Sequence, residues 1–124
     1  MCCVVFVAMS CSKENSGPSD TQKPLIKIIS PVEGFDSPSG VPVAISALVE
    51  DEELHALRVV VKQKSDGAIL FEESPDVHGQ KSYSLNTTYT ATGLRRPVSA
   101  RLTVIATDMS KNTDSLSVGF TINP

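Results

Sequence analysis

The sequence predicts an all-β fold, an antiparallel β-sandwich of about seven strands. Residues 98 to 122, VSARLTVIATDMSKNTDSLSVGFTI, carry the strongest signal: Val98, Ala100, Leu102, Val104 and Ala106 alternate with more polar neighbours. After a polar turn Leu116, Val118, Phe120 and Ile122 alternate again. Period two on both sides of a turn marks an antiparallel hairpin with one buried face. The rest of the chain repeats short β-branched stretches between turn formers, with 8 Pro and 7 Gly to punctuate them. No segment sustains a helical period.

Taken in order, LIKIIS (25 to 30) is a first strand, closed by Ser30-Pro31, and VEGFDSPSG (32 to 40) is loop. VPVAISALVE (41 to 50) alternates Val43, Ile45, Ala47 and Val49 and is a second strand. DEELHA (51 to 56) reads as a charged turn with room for one helical turn. LRVVVKQK (57 to 64) is a third strand with Leu57, Val59 and Val61 on one face. Ser65-Asp66-Gly67 is a tight turn of the Asp-Gly type, and AILFEE (68 to 73) returns as a fourth strand. SPDVHGQ (74 to 80) is loop. SYSLNTTYTA (82 to 91) sets Tyr83, Leu85, Thr87 and Tyr89 in alternation, a fifth strand whose tyrosines are in phase with a core leucine. TGLRRP (92 to 97) links it to the terminal hairpin. Short strands broken by frequent turns are the pattern of an Ig-like sandwich, and the chain has no internal repeat that would suggest a solenoid or propeller.

The 124 residues suit one domain. Without Trp and with few aromatics, the core is built from Val, Ile, Leu and Ala. A net charge of -3 and a pI near 5.3 give no electrostatic reason to expect nucleic acid. All three cysteines lie at or before position 11, so the body has neither a disulfide framework nor a thiolate metal site.

Residues 2 to 9, CCVVFVAM, form an apolar run far shorter than the ~20 residues of a membrane span. It fits the hydrophobic part of a secretory signal; the usual basic segment is missing, as it would be if Met1 were internal to a longer signal. Ala8-Met9-Ser10-Cys11 resembles a bacterial lipobox, although Ala8 stands where Leu is usual. The resemblance implies a signal peptide at residues 1 to 10, diacylglyceryl modification of Cys11, and a mature chain beginning there. The competing reading is a fragment of a buried apolar strand that contains cysteines. Residues 12 to 23, SKENSGPSDTQK, hold no large apolar side chain, so residues 11 to 23 are expected to be a lipidated cysteine and flexible tether, with residues 24 to 124 the sandwich. Ser12-Lys13-Glu14-Asn15 is similar to the start of many Bacteroidetes surface lipoproteins, which implies an outer-membrane anchor and the cell surface, a periplasm-facing location being the alternative.

Ala106-Thr107-Asp108 through Asn112 resembles the A-x-D-x-x-G-N signature of bacterial Ig-like and cadherin-like repeats, with Lys111 where the family has Gly. Val49-Glu50-Asp51 with Leu54 through Val61 resembles their D-x-x-x-L-x-x-V-x-V segment, and Pro24 to Pro31 their opening strand. The whole chain resembles small Bacteroidetes lipoproteins carrying an Ig-like domain of unknown function.

In such a topology the second-to-third and sixth-to-seventh strand loops share one end, which would gather Asp51 and Glu53 with Asp108, Asn112 and Asp114. Carboxylate and amide oxygens are what Ca²⁺ prefers, and the cadherin-like resemblance points the same way. The alternative for Asp108 is to cap its own turn by accepting backbone N–H bonds. His55 and His78 are the two histidines; a zinc site would need both in close approach with carboxylates, their separation matches no recognised ligand spacing, and the competing reading is two partly exposed loop residues. Arg95, Arg96 and Arg101 form a small basic group that would either bind an anion or balance the acidic loops. There is no Gly-x-Ser-x-Gly elbow, no His-Glu-x-x-His and no glycine-rich phosphate loop. The expectation is a non-catalytic cell-envelope lipoprotein, a binding or structural module that engages protein or glycan and has no cofactor. The alternative is a calcium-binding, cadherin-like stability or adhesion module.

Overall fold

A computed structural model describes residues 22 to 38 and 40 to 124. The lipidation motif, Cys11 and nearly all of the tether lie outside the described residues. Among the described residues eight strands form two sheets. The smaller sheet has the order β1 (Leu25–Ser30), β3 (Val43–Glu50), β6 (Ser82–Tyr89), all antiparallel. The larger has the order β2 (Phe35–Ser37), β8 (Thr113–Ile122), β7 (Val98–Asp108), β4 (Leu54–Gln63), β5 (Ile69–Glu73). No helix is formed among the described residues. Strands one, three and six against eight, seven, four and five is the A-B-E and G-F-C-C′ division of an Ig-like sandwich.

The alternation in sequence becomes the core directly, because successive side chains of a strand point to opposite faces. From the smaller sheet Val43, Ile45, Ala47, Val49 and Leu85 are buried. They meet Leu57, Val59, Val61, Ala100, Leu102, Val104, Ala106, Phe120 and Ile122 from the larger. Each fully buried aliphatic of this kind contributes about 1.5–3 kcal/mol, and the cluster stands in for the disulfides the body lacks. Tyr83 and Tyr89 pack against the core's edge, and the Tyr89 ring lies 5.8 Å from that of Phe71. Val60, on the outward face between Arg58 and Lys62, is nonetheless only 2% exposed. Glu72 and Thr103 stand opposite it across the neighbouring strands, and long charged side chains of this kind cover apolar surface with their stems.

Three local differences from the sequence expectation have physical causes. The stretch 32 to 40 contains a strand, β2, which runs parallel to β8 with Phe35 opposite Phe120. Three residues are too few to show a period. What holds β2 is tertiary: Gly34 N–H donates to the Gly119 carbonyl at 2.7 Å and Gly119 N–H to Glu33 Oε1 at 2.9 Å. Asn123 Nδ2 adds bonds to Asp36 Oδ1 and to the Ser37 carbonyl. Second, residues 51 to 56 make no helical turn, and β4 begins at Leu54, which pairs with Asp108. Third, Leu116 faces inward by parity but is 41% exposed. It lies on the part of β8 that β2 does not border, so this stretch of the strand is an open edge of the sheet.

Candidate functional site

The two loops predicted to share an end do share it. Met109 N–H at the β7–β8 turn donates to the Glu53 carbonyl of the β3–β4 loop at 2.9 Å. The chain enters the sandwich at the same place: Asn112 Nδ2 donates to the Gln22 carbonyl at 3.3 Å. Gln22, Lys23, Leu25, Glu50, Asp51, Glu52 and Lys81 line a shallow cavity of about 390 Å³ there.

Within this end the carboxylates serve separate stretches of backbone. Asp108, 1% exposed, is the one buried acid among the described residues. Its Oδ1 accepts from the Ser110 and Asn112 amides at 2.9 and 2.8 Å, and its Oδ2 from Asn112 Nδ2 at 3.0 Å. That is the turn-capping geometry, and the backbone closes it further with Asp108 N–H on the Asn112 carbonyl and Lys111 N–H on the Asp108 carbonyl, both 3.0 Å. Lys111 occupies the left-handed region at φ 69, so the lysine keeps the backbone shape for which the resembled repeats use glycine. Asp51 Oδ2 accepts from the Glu53 amide at 2.9 Å. Asp114 Oδ1 accepts from the Ser115 amide at 2.9 Å. Glu53 meets the β7–β8 turn through its backbone. Among the described residues no three histidine or acidic side chains gather as a metal-ligand set. Asp51, Glu53, Asp108, Asn112 and Asp114 thus lie at one end, with Asp51 and Asp108 each bonded to backbone of its own turn and Asp114 to the next amide of β8.

The opposite end carries a group of cations. β4 runs ten residues from Leu54 to Gln63, which at ~3.3 Å per residue is about 30 Å. At its far end Lys62 stands in register with Arg101, and Arg101 with Gly119. Lys62, Gln63, Lys64, Gly67 and Arg101 line one cleft of about 330 Å³. Gln63, Ser65, Arg96, Pro97, Val98 and Ser99 line an adjoining one of about 530 Å³. The acids nearby are engaged locally: Asp66 Oδ1 accepts from the Ala68 amide, and Glu33 holds Gly119 N–H. A Cβ built on Gly119 would lie 2.7 Å from Lys64 Nζ and 3.2 Å from Glu33 Oε2, so Lys64 and Glu33 converge there. Lys62, Arg96 and Arg101 remain without an acid in either lining. A separation of about 30 Å is several Debye lengths at physiological salt, so these cations do not balance the acidic loops. Arg95, Arg96 and Arg101 were legible as a basic group, of which Arg96 and Arg101 line the clefts and Arg95 lines neither; that Lys62 and Lys64 join them required the β4–β7 register.

No family model matches the sequence, and no curated protein matches it. Among solved structures the chain is similar to an engineered protein, with a TM-score of 0.56 at 15% identity over 96% of this chain and 22% of that one. It is also similar to the E. coli chaperone DraB, with a TM-score of 0.55 at 11% identity over 83% of this chain and 56% of that one. Fibronectin(III)-like modules of Clostridium thermocellum CbhA give a TM-score of 0.48 at 17% identity, over 82% of this chain and 47% of that one. The chain is an Ig-like β-sandwich module. It spans between about a fifth and a little over half of these chains, and identities this low speak for the fold alone.

Proposed function

We propose that the protein is a non-catalytic, lipid-anchored module of the bacterial cell envelope that binds an anionic partner, an acidic glycan or an acidic protein segment, through its cationic end. The observation that carries the reading is the placement of Lys62, Lys64, Arg96 and Arg101 around two adjoining clefts about 30 Å along β4 from the point where the chain enters at Gln22. A lipid on Cys11 holds the module from its acidic end, which leaves the cationic clefts on the side away from the anchor. Polar neighbours in the clefts, Gln63, Ser65 and Ser99, suit the hydroxyls and amides of either partner. The core gives the module rigidity, and its interior is apolar apart from Asp108 and Ser37 among the described residues.

The test is binding of polygalacturonate and of a poly-glutamate peptide against neutral dextran at 50 mM salt. Arg101→Glu and Arg96→Glu are expected to weaken anionic binding at least tenfold with Tm unchanged. Equal affinity for dextran, or no effect of charge reversal, would overturn the reading. Separately, Cys11→Ser is expected to move the protein from the detergent phase to the aqueous phase; persistence in the detergent phase would rule out the anchor.

A further inference from the structure

The two histidines, 23 positions apart in sequence, are neighbours in space. His55 sits near the start of β4 and His78 on the loop between β5 and β6, with ring centroids 5.5 Å apart and planes inclined at 69°. Their approach is built into the fold. Leu54 N–H donates to the Gln80 carbonyl at 2.8 Å and Gly79 N–H to the Leu54 carbonyl at 2.7 Å, so the loop lies against β4 like a further strand. Val77, 1% exposed, anchors the loop in the core. Asp76 Oδ1 accepts from the His78 amide at 3.1 Å and fixes the backbone from which the second ring projects. Both rings are exposed.

From this pair we infer a two-histidine site for a borderline divalent metal ion, copper, nickel or zinc, on the flank of the β3–β4 end. With metal–nitrogen bonds of ~2.0–2.1 Å, an imidazole centroid lies about 3.2 Å from its ion, so two rings on one ion sit about 4.5 Å apart at the ~90° angle of a tetragonal copper(II) or nickel(II) ion and about 5.2 Å apart at the tetrahedral angle of zinc. The observed 5.5 Å is reached from there by a small rotation of exposed side chains. Imidazole suits these ions, and Ca²⁺ and Mg²⁺ favour oxygen ligands instead. Among the described residues no third histidine or acidic side chain joins the pair, so water completes the coordination and the site is open. Copper(II) binds tightest, following the usual order of first-row ions. The ion would cross-link the β5–β6 loop to β4, two segments far apart in the chain. This site is independent of the cationic clefts and stands or falls separately from them.

The experiment is a calorimetric titration of copper(II) chloride into the full chain with Cys2, Cys3 and Cys11 alkylated, with electron paramagnetic resonance of the bound ion. Wild-type protein is expected to show hyperfine structure from two imidazole nitrogens. His55→Gln and His78→Gln, both at exposed positions, are each expected to weaken that binding at least fivefold and to leave a one-nitrogen spectrum. Weakening of less than fivefold in either variant, or a one-nitrogen spectrum in the wild type, would overturn the inference.

Discussion

Asp108→Ala is expected to be the most damaging single change outside the aliphatic core. The side chain is 1% exposed and accepts three hydrogen bonds, two from backbone amides and one from Asn112 Nδ2. Each bond to a charged acceptor contributes ~1.5–3 kcal/mol before relaxation, and a buried donor left unsatisfied costs ~1–3 kcal/mol. Water reaching the opened turn recovers part of this, which leaves a loss of about 3–4 kcal/mol. In a domain of this size that lowers Tm by about 15–20 °C. Asp108→Asn separates charge from shape: its oxygen still serves the two backbone amides, but its NH₂ faces that of Asn112, so about half the loss is expected. Urea unfolding followed by circular dichroism reads both variants, with an unchanged m-value confirming that the native state is the one affected. A loss below about 1 kcal/mol for Asp108→Ala would refute the argument that this turn is held by the carboxylate.

The same turn yields a stabilising change. Lys111→Gly relieves the left-handed strain of ~1–2 kcal/mol at the entropic cost of a glycine, for a net gain of about 0.5–1 kcal/mol in the same urea assay; a loss would show that the lysine side chain holds the turn. Millimolar calcium is expected to leave Tm within about a degree, because the Asp51, Asp108 and Asp114 carboxylates already bond nearby backbone amides; a larger shift that Asp51→Ala abolishes would restore the cation reading. Burial raises the Tyr89 phenol above its ordinary value, so the folded state holds that proton more tightly than the unfolded one. Its contribution is full below the unfolded pKa of ~10 and fades as pH rises through the higher folded value. Tyr89→Phe should therefore flatten the decline of Tm with pH above about 10, and an unchanged slope would remove Tyr89 from the alkaline response.

Most of the fold was legible because burial in a sandwich writes itself as period two. Leu102, Val104 and Ala106 alternate in sequence and are buried in fact, and Asp108 was legible as a turn cap because its partners lie within four residues. What stayed hidden depends on register between distant segments. β2 exists through Gly119 and Glu33, which no local pattern links to Phe35. The His55–His78 approach follows from where Val77 is buried, and a single apolar residue in a polar loop announces nothing by itself. Leu116 is exposed for a related reason: alternation gives the face of a strand, while coverage depends on which distant segment borders it, and β2 borders only the far end of β8.

The separation of charge along β4 also shapes how an encounter begins. A body with a cluster of cations at one end and a cluster of carboxylates at the other has a direction in an electric field. An anionic polymer near it exerts a torque before any contact forms, turning the cationic end inward and the end where the chain enters outward. Such pre-orientation raises the fraction of collisions that are productive, and it fades as added salt screens the field. The association rate, more than the dissociation rate, is where this arrangement of charges is expected to show.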